Sequence, residues 1–142
     1  MIDALYSREI LRRTTQLQHV GRLAHPQGVA DRTAKLCGST LHVEVVMAGD
    51  VVAEFAQEVQ ACALGQAAAA IVSQSIIGAT ADEVVAARDG LRRLLKGEAA
   101  TFPARFSDLQ ILSSVKDFPA RHASTLLALE AACEAIGQAR KA

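Results

Sequence analysis

Apolar and polar positions alternate with two different periods along this chain, and the change of period marks its elements. Residues 2–18 place Ile2, Leu5, Tyr6, Ile10 and Leu17 among helix-forming residues, which predicts an amphipathic N-terminal helix. "HVGRLAHPQGVAD" follows, punctuated by Gly21, Pro26 and Gly28, and reads as a loop. From Thr40 the period becomes two. Leu41, Val43, Val45 and Met47 share one face and His42 and Glu44 the other, with His42 expected to be solvated. Ala48-Gly49-Asp50 supplies a turn, after which Val51, Ala53, Phe55 and Val59 alternate with Glu54 and Glu58. This is the pattern of a β-hairpin with one buried face.

After Gln60 the chain becomes almost free of charge over "ACALGQAAAAIVSQSIIG". Small apolar residues around the whole circumference predict a helix closely approached on several sides. Thr80 and Glu83 have capping-box spacing ahead of a stripe of Val84, Val85, Leu91, Leu94 and Leu95 that ends at Gly97. A connection with one short helix around residues 107–112 leads to a last helix from Pro119 to Ala139, with Leu126, Leu127, Leu129, Ala132 and Ile136 inward. The expected fold class is α+β: a small antiparallel sheet packed against four to five helices, in a single domain spanning 1–142.

Composition narrows the functional classes. Fifteen basic residues balance fifteen acidic ones and only 4% are aromatic, so neither a field for nucleic acid nor base-stacking platforms are present. No run is apolar enough for a signal peptide or a membrane span, which leads to the expectation of a cytoplasmic protein whose thiols stay reduced. Three cysteines spaced by 25 and 71 residues form neither a disulfide framework nor a zinc-finger pattern.

Two of these cysteines stand at element boundaries. Cys37, followed by Gly38, leads into the first hairpin strand, and Cys62 sits where the second strand gives way to the buried helix. A thiol at a helix start is favoured as thiolate by the unpaired N–H groups there. A strand running into a helix can bring its junction beside the entry of the neighbouring strand, so the two thiols would meet at one end of the sheet. The competing reading treats both as small buried hydrophobes. Cys133, in "EAACEAIG", lies on the stripe of Leu129 and Ile136 and is expected in the core.

The succession of "YSREIL", a Cys-Gly pair, "GDVVAEFAQEVQACALGQAAAAIVSQSIIG", "LRRLLKG" and "FPAR" over nearly the whole chain resembles the NifU N-terminal-like, or U-type, iron–sulfur cluster assembly scaffolds. The connection from Gly97 to Phe118 is similar to that of the SufU-type branch. The resemblance implies a site of three cysteines and one aspartate, with a [2Fe–2S] cluster, iron or zinc as the bound group. The first two cysteines fall on Cys37 and Cys62, and these are also the sulfur acceptors it implies. The aspartate falls on Ser39, and the third cysteine on Ser124 or, with one residue deleted, on Ala123. Cys133 stands about 15 Å further along the helix. The ligand set is thus incomplete. His122 in "ARHAST" is the candidate third ligand beside Cys37 and Cys62, although a lone histidine at a helix start also reads as a surface or capping group. Ser39, Ser124 and Arg121 are possible accessory residues.

What the resemblance implies about partners is a pyridoxal-phosphate cysteine desulfurase as sulfur donor and cluster-accepting proteins downstream, with a homodimer as a possible assembly. Two functions follow from it: a scaffold-like sulfur acceptor binding iron or a cluster weakly, or a degenerate paralogue that keeps the fold as a desulfurase-binding or regulatory module. A thiol enzyme using Cys62 with His122 as base is a minor third, since no orienting acid or oxyanion signature accompanies it. The U-type role is more that of scaffold or acceptor than of a turnover enzyme.

Overall fold

A computed structural model describes residues 7–141. Its architecture is α+β, a three-stranded antiparallel sheet in the order β1-β2-β3 with helices against one face. Helix α1 covers Arg8–Arg13 and the strands are β1 Gly28–Ala34, β2 Ser39–Ala48 and β3 Val51–Gln60. Helices α2 Ala63–Ser75 and α3 Ala81–Leu95 follow, then 3-10 segments at Ala104–Asp117 and Pro119–Arg121, and α4 His122–Ala139. The first helix is shorter than the sequence pattern suggests: it stops at Arg13 rather than running to residue 18, and Ile2, Leu5 and Tyr6 lie outside the described residues.

The hairpin forms as its alternation requires. Leu41, Val43 and Val45 are buried, and β2 joins β3 through Gly49-Asp50 with Gly49 at φ +61°. The strand missed by the pattern is β1, which pairs with β2 from Gly28↔Val45 to Ala34↔Ser39. It hides in the sequence because its buried positions carry only Gly28, Ala30 and Ala34, too small to register as an apolar stripe. Those small residues let α4 lie directly on the sheet: a Cβ added at Gly28 would run into the carbonyl oxygen of Ala135. Helix α4 therefore rests across β1 and β2, with α2 and α3 packed on its other sides. Thr80 and Glu83 close the expected capping box on α3 with hydrogen bonds of 3.1 and 2.9 Å. Val85 faces solvent, not the stripe. The long connection is wound mostly as 3-10 helix rather than as one short helical turn, and it buries Phe106, Leu109, Leu112 and Val115.

His42 departs from expectation. It is not solvated but held between two carboxylates, with Nδ1 2.7 Å from Asp31 and Nε2 2.7 Å from Glu44. With an acceptor at each nitrogen the ring carries both protons. Its pKa is raised by the bond to Glu44 and by Asp31, against burial and the nearby Arg22. Burial raises the carboxyl pKa of Glu44, but the bonds from His42 and the Leu23 amide, with the charges of His42 and Arg22, outweigh it and leave a net lowering. Glu44 is buried because the segment after α1 crosses this face, donating Leu23 N–H to its Oε1 at 2.8 Å, while Val20 pairs alongside Gln57 of β3.

Removing Glu44 strands a charged ring and an amide. Glu44→Ala is expected to lose about 3 kcal/mol in urea denaturation. The raised histidine pKa stabilises the fold below the ordinary imidazole range, about 6.5, and that contribution is lost as pH rises through the raised value. The Tm difference between wild type and His42→Asn should therefore be largest near pH 6 and shrink at alkaline pH. A difference independent of pH would contradict the charged assignment.

Candidate functional site

The fold brings three distant segments to one end of the sheet. Residues 35–38 turn β1 into β2, and Gly38 adopts φ +70°, a left-handed conformation that favours glycine. Cys37 is thereby placed half-buried beside the first residue of β2. Thr40 pairs with Gln60, so the end of β3 lies at the same rim, and Cys62 follows as the N-cap of α2. Helix α4 begins at His122 and lays Ser124 into the same place. Gly65, in the first turn of α2, lies beside this convergence, and the close approach there is to Ala61. A Cβ there would stand 3.4 Å from the Ser124 carbonyl oxygen, 3.8 Å from Ser39 Oγ and 2.8 Å from the Ala61 Cβ.

Ser39 and Ser124 are 0% and 1% exposed, and each is tied to a thiol. Ser39 Oγ accepts the Cys62 backbone N–H at 3.3 Å and lies 3.2 Å from Cys37 Sγ. With its oxygen accepting that amide, its single proton is free to donate to the Cys37 sulfur. Ser124 Oγ donates to the Arg121 carbonyl at 3.1 Å, which leaves its oxygen to accept the Cys62 thiol at 3.6 Å. The two cysteines are therefore unequal: toward a Cys37 thiolate Ser39 can only donate, whereas the Cys62 thiol itself donates to Ser124.

The consequence appears in Cys37's acidity, lowered to about 7. The Ser39 hydroxyl is the main cause, partial burial opposes it, and Ser124, the Ser39 backbone and Cys62 add to the lowering. The lowering favours the thiolate, the nucleophilic form, near neutral pH. Beside it Leu36 is 75% exposed, an apolar residue at the hairpin tip that the alternating pattern gave no reason to single out.

The other candidates go elsewhere. His122 does not join the thiols: its Nε2 lies 3.1 Å from the carbonyl oxygens of Val115 and Lys116 and donates to that 3-10 segment. It works as a tie at the start of α4. Arg121 supplies its carbonyl to Ser124 and Thr125, and Ala123 is exposed. Among the described residues no group of three or more His, Cys, Asp or Glu side chains is arranged to hold a metal ion. Cys133 is half-buried against the core, 3.8 Å from the Val84 carbonyl oxygen, and burial raises its pKa. It borders a small cleft with Arg32, Arg88, Arg92, Glu130 and Glu134, away from the paired thiols. No helix among the described residues is long and apolar enough to cross a membrane.

Ser39→Ala removes the main donor to Cys37. In wild type the rate of iodoacetamide alkylation at Cys37 should rise with a midpoint near pH 7, following the thiolate. In Ser39→Ala that midpoint should move up toward the ordinary thiol range, about 8.5, with the alkaline plateau rate little changed. An unmoved midpoint would remove the serine from this role.

The family model described as the NifU-like N terminal domain matches residues 5–137. The chain is 23% identical over 120 residues to the zinc-dependent sulfurtransferase SufU of Bacillus subtilis, covering 84% of this chain and 81% of that one. Its fold superposes on the crystal structure of a nitrogen-fixing NifU-like protein (N-terminal) from Brucella abortus with TM-score 0.94 and 45% identity, covering 99% of this chain and 97% of that one. A putative iron–sulfur cluster assembly scaffold protein for the SUF system from Fervidobacterium islandicum shares the fold at TM-score 0.84 and 21% identity, over 94% of this chain and 98% of that one.

Proposed function

The chain belongs to the NifU-like N-terminal domain family, and on that premise we propose that it is a sulfur-accepting protein of iron–sulfur cluster assembly that works through Cys37 without a resident metal. The donor is a pyridoxal-phosphate cysteine desulfurase and the setting is the cytoplasm, where thiols stay reduced. The Cys37 thiolate attacks the outer sulfur of the donor's persulfide. The donor's S–S bond breaks, its cysteine leaves as thiolate, and Cys37 becomes the persulfide. Leu36 beside it offers a protein donor an apolar foothold, and Cys62 stands ready as the neighbouring thiol. From there the sulfur passes to proteins that build or accept clusters.

The observation that carries this reading is the pair of buried serines on the pair of thiols. A closed zinc site takes four ligands, and a [2Fe–2S] cluster four anionic or imidazole donors. Here two thiols are joined by two neutral hydroxyls already engaged in hydrogen bonds, and His122 is turned to backbone carbonyls. This set does not fit the zinc in the name of the Bacillus relative, nor a resident cluster. Iron as cargo would find two sulfur donors only, which supports weak and transient binding at most.

The same loss of ligands favours a second reading, in which the protein binds the desulfurase as a regulatory module and carries no sulfur itself. One experiment separates the two. After incubation with a cysteine desulfurase and cysteine under anaerobic conditions, the intact mass should rise by about 32 Da, with peptide mapping placing the sulfur on Cys37. Cys37→Ser should abolish that gain while still co-purifying with the desulfurase. Added Fe²⁺ should produce no stable visible absorbance. A desulfurase complex with no mass gain in the wild type would favour the regulatory reading.

A further inference from the structure

In the acceptor step proposed above the sulfur goes to Cys37, and Cys62 is tied to the same buried serine. Ser39 Oγ touches both Cys37 Sγ and the Cys62 amide, at 3.2 and 3.3 Å, so one buried oxygen bridges the two cysteines. The Cys62 thiol points its proton at Ser124. Where four metal ligands would hold two cysteines apart around an ion, hydroxyls leave the sulfurs free to react with one another.

Resting on the acceptor reading above, we propose that Cys62 is a resolving thiol: it attacks the inner sulfur of the Cys37 persulfide, expels hydrosulfide and leaves a Cys37–Cys62 disulfide. The bond from Cys37 Sγ to the outer sulfur breaks as the Sγ–Sγ bond forms. The outer sulfur departs with the electron pair and is reduced to sulfide, while the Cys62 sulfur is oxidised to the disulfide level. The Cys62 proton passes by way of Ser124 and solvent to the hydrosulfide. The electrons that reduce the sulfur come from Cys62, so no external reductant enters this step. Return of the pair to dithiols takes two electrons from a protein or small-molecule dithiol by thiol–disulfide exchange. The protein thus converts persulfide sulfur into free sulfide, the oxidation level found in a cluster, once per reduction cycle.

The test loads the purified protein by brief exposure to inorganic polysulfide, desalts it and follows intact mass and free sulfide anaerobically, with peptide mapping to separate Cys133. In wild type the product gained at Cys37, about 32 Da heavier, should decay with release of close to one equivalent of sulfide. The decay should leave a Cys37–Cys62 peptide crosslink about 2 Da lighter than the dithiol. In Cys62→Ser, and in Cys62→Ala as a second variant against local misfolding, the persulfide should last at least about tenfold longer and release no sulfide. Added dithiothreitol should restore the wild-type protein to a further round. Equal persulfide lifetimes in wild type and both variants, with no crosslink, overturn the resolving step and leave the acceptor reading standing. Failure of Cys37 to gain sulfur in wild type overturns both.

Discussion

The site depends on a single buried oxygen. Ser39 Oγ ties the hairpin turn that carries Cys37 to the strand–helix junction that carries Cys62, across 23 residues of sequence. The hydrogen bond it accepts from the Cys62 amide fixes the entry to α2, and its proton remains to be donated to a Cys37 thiolate. Because Ser39 begins β2 and pairs with Ala34, this oxygen is positioned by the sheet itself rather than by a loop. The acidity of Cys37, the polarity of the two thiols and their mutual approach all follow from that placement.

The nature of the residue matters as much as its position. A carboxylate in the same fully buried place would need a cation to balance it, since an unpaired buried charge is costly. A serine needs only two hydrogen-bond partners, and here it has them in the Cys62 amide and the Cys37 sulfur. Ser124 is settled in the same way by the Arg121 carbonyl and the Cys62 thiol. Both serines are therefore satisfied by the protein alone, and the lowering of the Cys37 pKa comes first from the Ser39 hydroxyl, with Ser124, the Ser39 backbone and Cys62 adding to it against partial burial.

Much of this architecture was legible in the sequence where side chains were large enough to write a pattern. The period-two run through Leu41, Val43 and Val45 announced the hairpin, and Thr80 with Glu83 announced the start of α3. β1 was not legible, because a strand on which a helix lies directly is built from Gly28, Ala30 and Ala34, and these carry no hydrophobic signature. His42 and Glu44 misled for the opposite reason. Alternation assigns them to the outer face, but the pattern does not show that an earlier segment of the chain, at Leu23, covers that face. At the site, family resemblance placed Cys37, Cys62, Ser39 and Ser124 together. The exclusion of His122 required the 3-10 carbonyls of Val115 and Lys116, whose direction no spacing rule reveals.

The relation between the two cysteines explains why both would be retained once the other ligands are serines. A lone acceptor thiol needs only Cys37, and a buried filler at the α2 N-cap could be alanine with little effect on packing. Cys62 is instead half-exposed at that cap, makes no side-chain bond to its own helix, and commits its thiol proton to a serine on α4. A cap residue that leaves its helix uncapped, within reach of the serine that also holds Cys37, suits the resolving role proposed above. A metal-bound thiolate pair is held apart by its ion. The same pair on two hydroxyls has no such spacer, and the natural product of a thiol beside a persulfide is a disulfide.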